Sequence, residues 1–320
     1  MTNKISFSIC PVCSSKATVF YQNLSDDRYG CPGSFDLYSC MECGHKHLNA
    51  NFSNNKLSSL YNTYYPRVTF NADNISPLER GKGFHAWLDG ENSFAYRWVP
   101  RNVRILDIGC GYGETLGYHK ERDCEVFGVE TDENVQRVAD KFGCKFHAGL
   151  FNPDNYETGY FDYITLDQVV EHFSQPMESM TAIARILKKN GTVVICTPNP
   201  EGWGSRIFGK KWINWHVPYH LQLFSYESMK RLAEMAGFRL ERYSTITSSK
   251  WLYYQIGSLL FYPSAGEPSK FWSSKDTRSL KDKLFLKIVE LIHAMKIMHV
   301  VTRLFDAIKT GDNNVFLLRK

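Results

Sequence analysis

From Asn102 onward, short apolar runs alternate with helix-length amphipathic segments, and the first run ends in a glycine-rich turn. Val103–Ile108 reads as a strand that delivers Asp107-Ile108-Gly109-Cys110-Gly111-Tyr112-Gly113 to a helix over Glu114–Glu121. Glu125–Glu130, Lys145–Ala148, Phe161–Val169, Thr192–Thr197 and Phe238–Ile246 follow as strands, with Asn314–Leu318 as the last. Helices are expected over Glu133–Phe142 behind an Asp132 cap, over Met177–Lys189 behind Pro176, and from Ser225 to Ala236 before Gly237. Strands and helices alternating at these lengths give an α/β fold, a parallel sheet covered on both faces. About 65 residues separate the sixth strand from the last, too many for a plain loop, so an insertion with structure of its own is expected.

The turn at Asp107 carries chemical information. Glycines let a backbone turn tightly and approach a ligand, and the helix start behind them offers free N–H groups. In open α/β sheets, ligands bind at this edge. Here an acidic residue precedes the glycines, which suits a cation better than a phosphate. S-adenosylmethionine (SAM) is such a ligand, with a sulfonium and an ammonium; the glycines alone also fit a dinucleotide. Glu130 ends the second strand, 23 positions after Asp107, where an acid can hold two ribose hydroxyls. The fourth strand ends in Asp167-Gln168-Val169-Val170-Glu171-His172, close to the same edge.

On these motifs, residues 102–246 and the final strand resemble the class I SAM-dependent methyltransferases, in the branch that carries an N-terminal zinc ribbon. The resemblance implies a Rossmann-like methyltransferase sheet. It assigns Asp107, Gly109, Gly111 and Gly113 to the methionine part of SAM and Glu130 to its ribose; Asp167, at the same sheet edge, is a further candidate for the cofactor. Leu150 stands where the family often has an acid that contacts adenine, a departure that leaves this contact unassigned.

Methyl transfer needs an aligned acceptor, and a hydroxyl or carbon acid also needs a base. His172 follows the fourth strand and has a suitable intrinsic pKa. The bland alternative is that Glu171 and His172 organise the loop. A second cluster, Trp212 to Ser225, places two Trp, two His and one Tyr before a helix cap. Its rings suit a sugar or other ring-shaped acceptor, with His220 or Tyr219 reaching polar atoms. Packing of the loop is again the alternative. The segment Pro218-Tyr219-His220-Leu221-Gln222-Leu223-Phe224-Ser225 resembles one found in methyltransferases of surface-polysaccharide and sugar pathways. The motifs of DNA amino- and cytosine C5-methylating enzymes are absent at Leu166-Asp167-Gln168-Val169.

Upstream, Cys10-Pro-Val-Cys13 and Cys40-Met-Glu-Cys43 form two C-x-x-C pairs with 26 residues between them. Four thiolates are the closed pattern of structural Zn2+, with no open coordination position for catalysis. Cys31, His45 and His47 are nearby alternative ligands, and a redox dithiol would need only one of the pairs. Nine cysteines and no apolar leader in Met1–Cys10 point to a reducing compartment, the cytoplasm.

The chain of 320 residues carries a net charge of +5. Residues 267–320 hold 11 Lys and Arg against 6 Asp and Glu, so the excess sits in the C-terminal segment. There, Lys281–Ile308 reads as one long helix or two shorter ones, with apolar stripes that suit core, a subunit contact or peripheral contact with the inner face of a membrane. Trp251, Tyr253 and Tyr254 are a candidate lid. Residues 1–48 balance four basic against four acidic side chains, a poor phosphate-binding face, so nucleic acid is not the expected partner.

The expected organisation is a zinc ribbon (1–48), a helical linker or lid (49–101), a SAM-binding core (102–248), a helical insertion (249–312) and a final core strand (313–320). The expected function is methyl transfer from SAM to oxygen or carbon of a small-molecule or glycan acceptor, such as a sugar nucleotide or surface-polysaccharide intermediate. The rivals are an RNA methyltransferase and a non-catalytic SAM-binding assembly protein. The oligomeric state is not written in these patterns.

Overall fold

The computed structural model describes residues 7–49, 52, 59–61, 63–65, 70–273 and 278–320. A sheet of seven strands forms the centre. In chain order its strands are β5 (Arg104–Ile108), β6 (Glu125–Glu130), β7 (Lys145–Ala148), β8 (Phe161–Asp167), β9 (Leu187–Pro198), β11 (Arg239–Thr245) and β12 (Asn313–Arg319). Their spatial order is β11-β12-β9-β8-β5-β6-β7. The five strands from β5 to β9 run parallel, and β12 lies antiparallel between β9 and β11. The chain leaves β5 in one direction and returns to its other side as β8. This reversal opens a crevice at the carboxyl ends of β5 and β8. Ile105, Leu106, Ile164, Leu166, Val193 and Ile195 are fully buried, as expected for strands covered on both faces.

The expected strands and helices form, with informative shifts at their ends. The helix after Pro176 stops at Ile186, and Leu187–Lys189 join β9 instead. Sheet pairing accounts for this: Leu187 pairs with Phe161, and Lys188 Nζ lies 2.7 Å from Asp162. The helix after Asp132 starts at Val135, because the Asp132 carboxylate accepts from Asn134 N at 2.9 Å and caps the preceding turn. Ser225 caps the helix Tyr226–Met235 as expected, accepting from Ser228 N.

The N-terminal segment forms β1 (Phe7–Ile9), β2 (Lys16–Leu24), β3 (Phe35–Cys40) and β4 (Lys46–Leu48). This antiparallel sheet has a fifth member, β10 (Gln222–Leu223), from the loop after β9. The ribbon is therefore fused to the core through its backbone. Residues 70–101 carry one α-helix, Gly83–Asp89, and short 3-10 turns. Pro66, whose ring marks a break in the chain, lies outside the described residues.

The insertion consists of α7 (Ser249–Leu260), α8 (Leu280–Ala294) and α9 (Ile297–Ala307). Of the two expectations for 281–308, the structure has two helices, broken at Lys296 with φ +63. Tyr253 and Tyr254 pack on Phe271 and Trp272, and Trp251 packs on Tyr254. Among the described residues, no helix is long and apolar enough to cross a membrane.

Candidate active site

Asp107 is buried at the end of β5. Its two oxygens accept from Thr115 Oγ1 at 2.5 Å and Thr165 Oγ1 at 2.7 Å. Burial raises its pKa against the pull of these hydroxyls. Gly109, Gly111 and Gly113 all have positive φ, at 73, 56 and 85 degrees. A Cβ on Gly109 would lie 2.4 Å from Val169 Cγ2, whereas one on Gly111 would meet nothing within 4 Å. The glycine turn is thus pressed against the loop after β8 at one glycine and open at the next. Glu130 faces it, accepting from Gly111 N at 3.1 Å. Leu150, by contrast, is exposed.

Two more carboxyls continue the row. Asp167 accepts from Ala95 N at 2.8 Å, and desolvation raises its pKa to about 7. Glu171 is fully buried and raised by desolvation to about 8. One of its oxygens accepts from Thr197 at 2.9 Å, and the other has no partner. Asp107 and Glu130 interact, as do Asp107 and Asp167, and Asp167 and Glu171. Each raises the next, since like charges disfavour ionisation. Such a row is short of a cation. A sulfonium or ammonium beside it would restore its charge, and the open Gly111 turn leaves room for close backbone approach. The residues present therefore fit SAM.

His172 stands at the end of this row. Its Nδ1 lies 2.9 Å from the Tyr219 carbonyl oxygen and 2.8 Å from the Tyr61 hydroxyl. A carbonyl can only accept, so a proton on Nδ1 satisfies Tyr219 and leaves the lone pair on Nε2, whereas a proton donated by the Tyr61 hydroxyl needs the lone pair on Nδ1. Burial lowers the His172 pKa to about 4. His220 repeats the arrangement, with Nδ1 2.8 Å from the Asn214 carbonyl and a pKa lowered by burial. The two rings are 4.9 Å apart, and His172, His220 and Glu171 can bring one ligand atom each within 4.8 Å of one another.

The predicted acceptor loop divides. Trp212 and Trp215 are buried, donating to Asp312 at 2.9 Å and to the Gly209 carbonyl at 2.7 Å. They pack the loop, as the bland reading had it. Tyr219 is fully buried, and its hydroxyl donates to Asp26 at 3.4 Å. Burial raises its pKa further, an environment opposed to a proton acceptor. His216, Tyr29, Tyr61 and Tyr65 surround it at ring separations of 4.8, 5.6, 5.6 and 5.3 Å. Tyr61 and Tyr65 belong to an aromatic-rich stretch, Leu60–Tyr65, whose Asn62 lies outside the described residues.

Asp26 and Arg28 are two of the balanced charges of residues 1–48, yet both are buried, with Asp27 and Lys46. Asp26 accepts from the backbone N of Arg28, Tyr29 and Cys31, and Arg28 donates to the Ile213 carbonyl at 2.6 Å. No local pattern marks an acid that will close its own turn inside a protein.

In the ribbon, Cys10 Sγ and Cys43 Sγ are 3.7 Å apart and Cys13 Sγ and Cys40 Sγ are 3.4 Å apart; all four lie within 4.8 Å of one another. Thiolates around Zn2+ at about 2.3 Å stand about 3.8 Å apart in a tetrahedron, so the spacing fits. The two knuckles match: Ser14 N returns to the Cys10 carbonyl and Gly44 N to the Cys40 carbonyl, both residues having positive φ. Cys31, His45 and His47 lie outside this cluster; His45 bonds Gln222, and His47 bonds Ser8.

Residues 71–243 match the model of a methyltransferase domain, more than half of the chain. The chain belongs to the methyltransferase-domain family. An uncharacterised methyltransferase of Schizosaccharomyces pombe is 29% identical over 126 residues, covering 34% of this chain and 45% of that protein. A ubiquinone biosynthesis O-methyltransferase of Dechloromonas aromatica is 24% identical over 198 residues, covering 53% of this chain and 85% of that protein. Among solved structures, a SAM-dependent methyltransferase of Archaeoglobus fulgidus is 19% identical, with a TM-score of 0.43, covering 70% of this chain and 88% of that one. The methyltransferase fold thus carries the crevice at β5 and β8, and its cofactor is SAM.

Proposed function

We propose that this methyltransferase transfers a methyl group to oxygen or carbon of a ring-shaped small molecule, a sugar nucleotide or surface-polysaccharide intermediate. SAM, when bound, supplies an electrophilic methyl on a sulfonium. Asp107, Gly109, Gly111 and Gly113 would hold its methionine end, Glu130 its ribose, and Asp167 the region between. The reading of the chemistry rests on one observation: His172 Nδ1 lies 2.9 Å from the Tyr219 carbonyl oxygen, and the tautomer that donates to it keeps Nε2 as a proton acceptor. His220 has the same polarity and stands behind it as the alternative base. Tyr219 itself serves as a wall, since its hydroxyl is committed to Asp26. Tyr29, Tyr61 and Tyr65 complete an aromatic wall suited to a ring and to exclusion of water.

A phenolic acceptor is the second reading. It is favoured by the name of the Dechloromonas relative, an O-methyltransferase of ubiquinone biosynthesis, and by the same aromatic wall. Labelled methyl from SAM, supplied with source-cell extract fractionated with and without ribonuclease, separates the cases. Label in nucleotide-sugar or glycan fractions supports the first reading, and label in lipid-extractable phenols the second. Label lost from large molecules with ribonuclease would refute both. Asp107→Ala should abolish binding of SAM by calorimetry; near-normal affinity would refute the cofactor site.

Cys10, Cys13, Cys40 and Cys43 would hold one structural Zn2+. Its role is to staple a ribbon too small for a core of its own. Elemental analysis should find about one zinc per chain and none in Cys10→Ser/Cys40→Ser. A zinc-free wild-type protein with unchanged thermal stability would remove the metal from the account.

A further inference from the structure

The helical insertion turns an apolar face outward. Helix α8 buries Leu286 and Val289. On its other side Leu280, Leu284, Ile288, Leu291 and Met295 recur at three- and four-residue steps, and all are exposed. Helix α9 is more lopsided. It buries Met298, His299, Thr302 and Arg303, while Ile297, Val300, Leu304 and Ile308 face out. A helix resting on a core in water is expected to orient the other way.

Its rotation is no accident of loose packing. His299 meets Asp89 at 3.0 Å and Lys296 meets it at 2.9 Å. Arg303 donates to the Trp87 carbonyl at 2.9 Å and pairs with Asp306 at 2.8 Å. These inward polar contacts fix which stripe points away from the protein. Phe84 and Trp87, on the helix beneath, are exposed too.

Charge indicates what covers the face. Between Ser279 and Lys309 there are six Lys and Arg against three Asp and Glu; Lys296 and Arg303 are committed to Asp89 and Asp306, and Lys281, Lys283, Lys287 and Lys309 are exposed. Lysines beside an apolar stripe can lay their stems along it and raise their ammonium groups to phosphate level. A symmetric contact with a second copy would instead bring two lysine-bordered surfaces together. We infer that α8 and α9 lie in the plane of an anionic lipid surface, with their apolar stripes in the acyl boundary and their lysines among the headgroups. This inference does not depend on the acceptor.

The test is flotation of the full chain with vesicles of phosphatidylglycerol and phosphatidylethanolamine, against phosphatidylcholine alone. The chain should float with the anionic vesicles and bind the neutral ones about tenfold less, and Leu284→Glu/Leu304→Glu should lose about tenfold in partitioning. Lys281→Glu/Lys287→Glu should weaken binding and remove its salt dependence. All variants should keep their SAM affinity and melting temperature, since these positions are exposed. Failure of the wild type to float, or equal flotation of the leucine variant, overturns the inference. A dimer that Leu284→Glu/Leu304→Glu dissociates, with no flotation, gives the face to a second copy instead.

Discussion

His172 Nδ1 lies 2.9 Å from the carbonyl oxygen of Tyr219, tying the loop after β8 to the loop after β9. One rung further, Leu221 N donates to the Glu171 carbonyl at 2.8 Å, and Leu48 N donates to the Leu221 carbonyl at 3.0 Å. The ribbon, the acceptor loop and the Glu171–His172 loop are therefore consecutive rungs of hydrogen-bonded backbone. A ribbon that looks like an appendage in sequence buttresses the candidate base.

His172→Ala should lower kcat by roughly 10²–10⁴ and leave SAM affinity within about twofold, the signature of a lost proton acceptor. His220→Ala tests the alternative base by the same split. With its pKa lowered to about 4, His172 stays neutral as pH falls through the ordinary histidine range. The rate should therefore hold below about pH 6.5 and decline only as pH approaches about 4. Unchanged kcat in His172→Ala would leave His172 as a loop support.

Binding of SAM at pH 7 should release protons. Asp167 and Glu171, raised to about 7 and about 8, are partly or mostly protonated before a cation arrives. A nearby positive charge favours their ionised forms, so protons leave, and the release should fade above about pH 9, where both are already ionised. Calorimetry in buffers of different ionisation enthalpy reads this directly. Identical heats in all buffers at pH 7 would mean that the carboxyl row does not face the cation.

Gly109→Ala and Gly111→Ala should differ, although both glycines have positive φ. Each alanine bears roughly 1–2 kcal/mol of left-handed backbone cost. Gly109→Ala adds a Cβ 2.4 Å from the β-branched Val169, so its total loss in urea unfolding should exceed that of Gly111→Ala by about 1–3 kcal/mol. Equal losses would show that Val169 yields freely.

Element ends were less legible than element identities. Leu187–Lys189 read as helix because nothing local forbids it; Phe161, 26 positions earlier, claims Leu187 for the sheet. Asp132 read as the helix cap and caps the turn before it. In the site, Asp107, the glycines, Glu130 and His172 stood out because strand ends deliver them to one edge. Tyr61 and Tyr65 did not, because no period or motif relates them to a loop more than a hundred residues away.

The order of strands and helices, the glycine turn behind an acid and the paired cysteines belong to the sequence by itself. They depend on periodicity and spacing within a few neighbours, which the chain carries locally. Only the tertiary structure decided that Asp26 and Arg28 go inside, that Tyr219 bonds the ribbon instead of an acceptor, and that α9 shows its apolar side to the surroundings. Each of these outcomes turns on a partner brought close by folding, Tyr219 for Asp26, Ile213 for Arg28 and Asp89 for His299, and a buried polar group goes where its partner is.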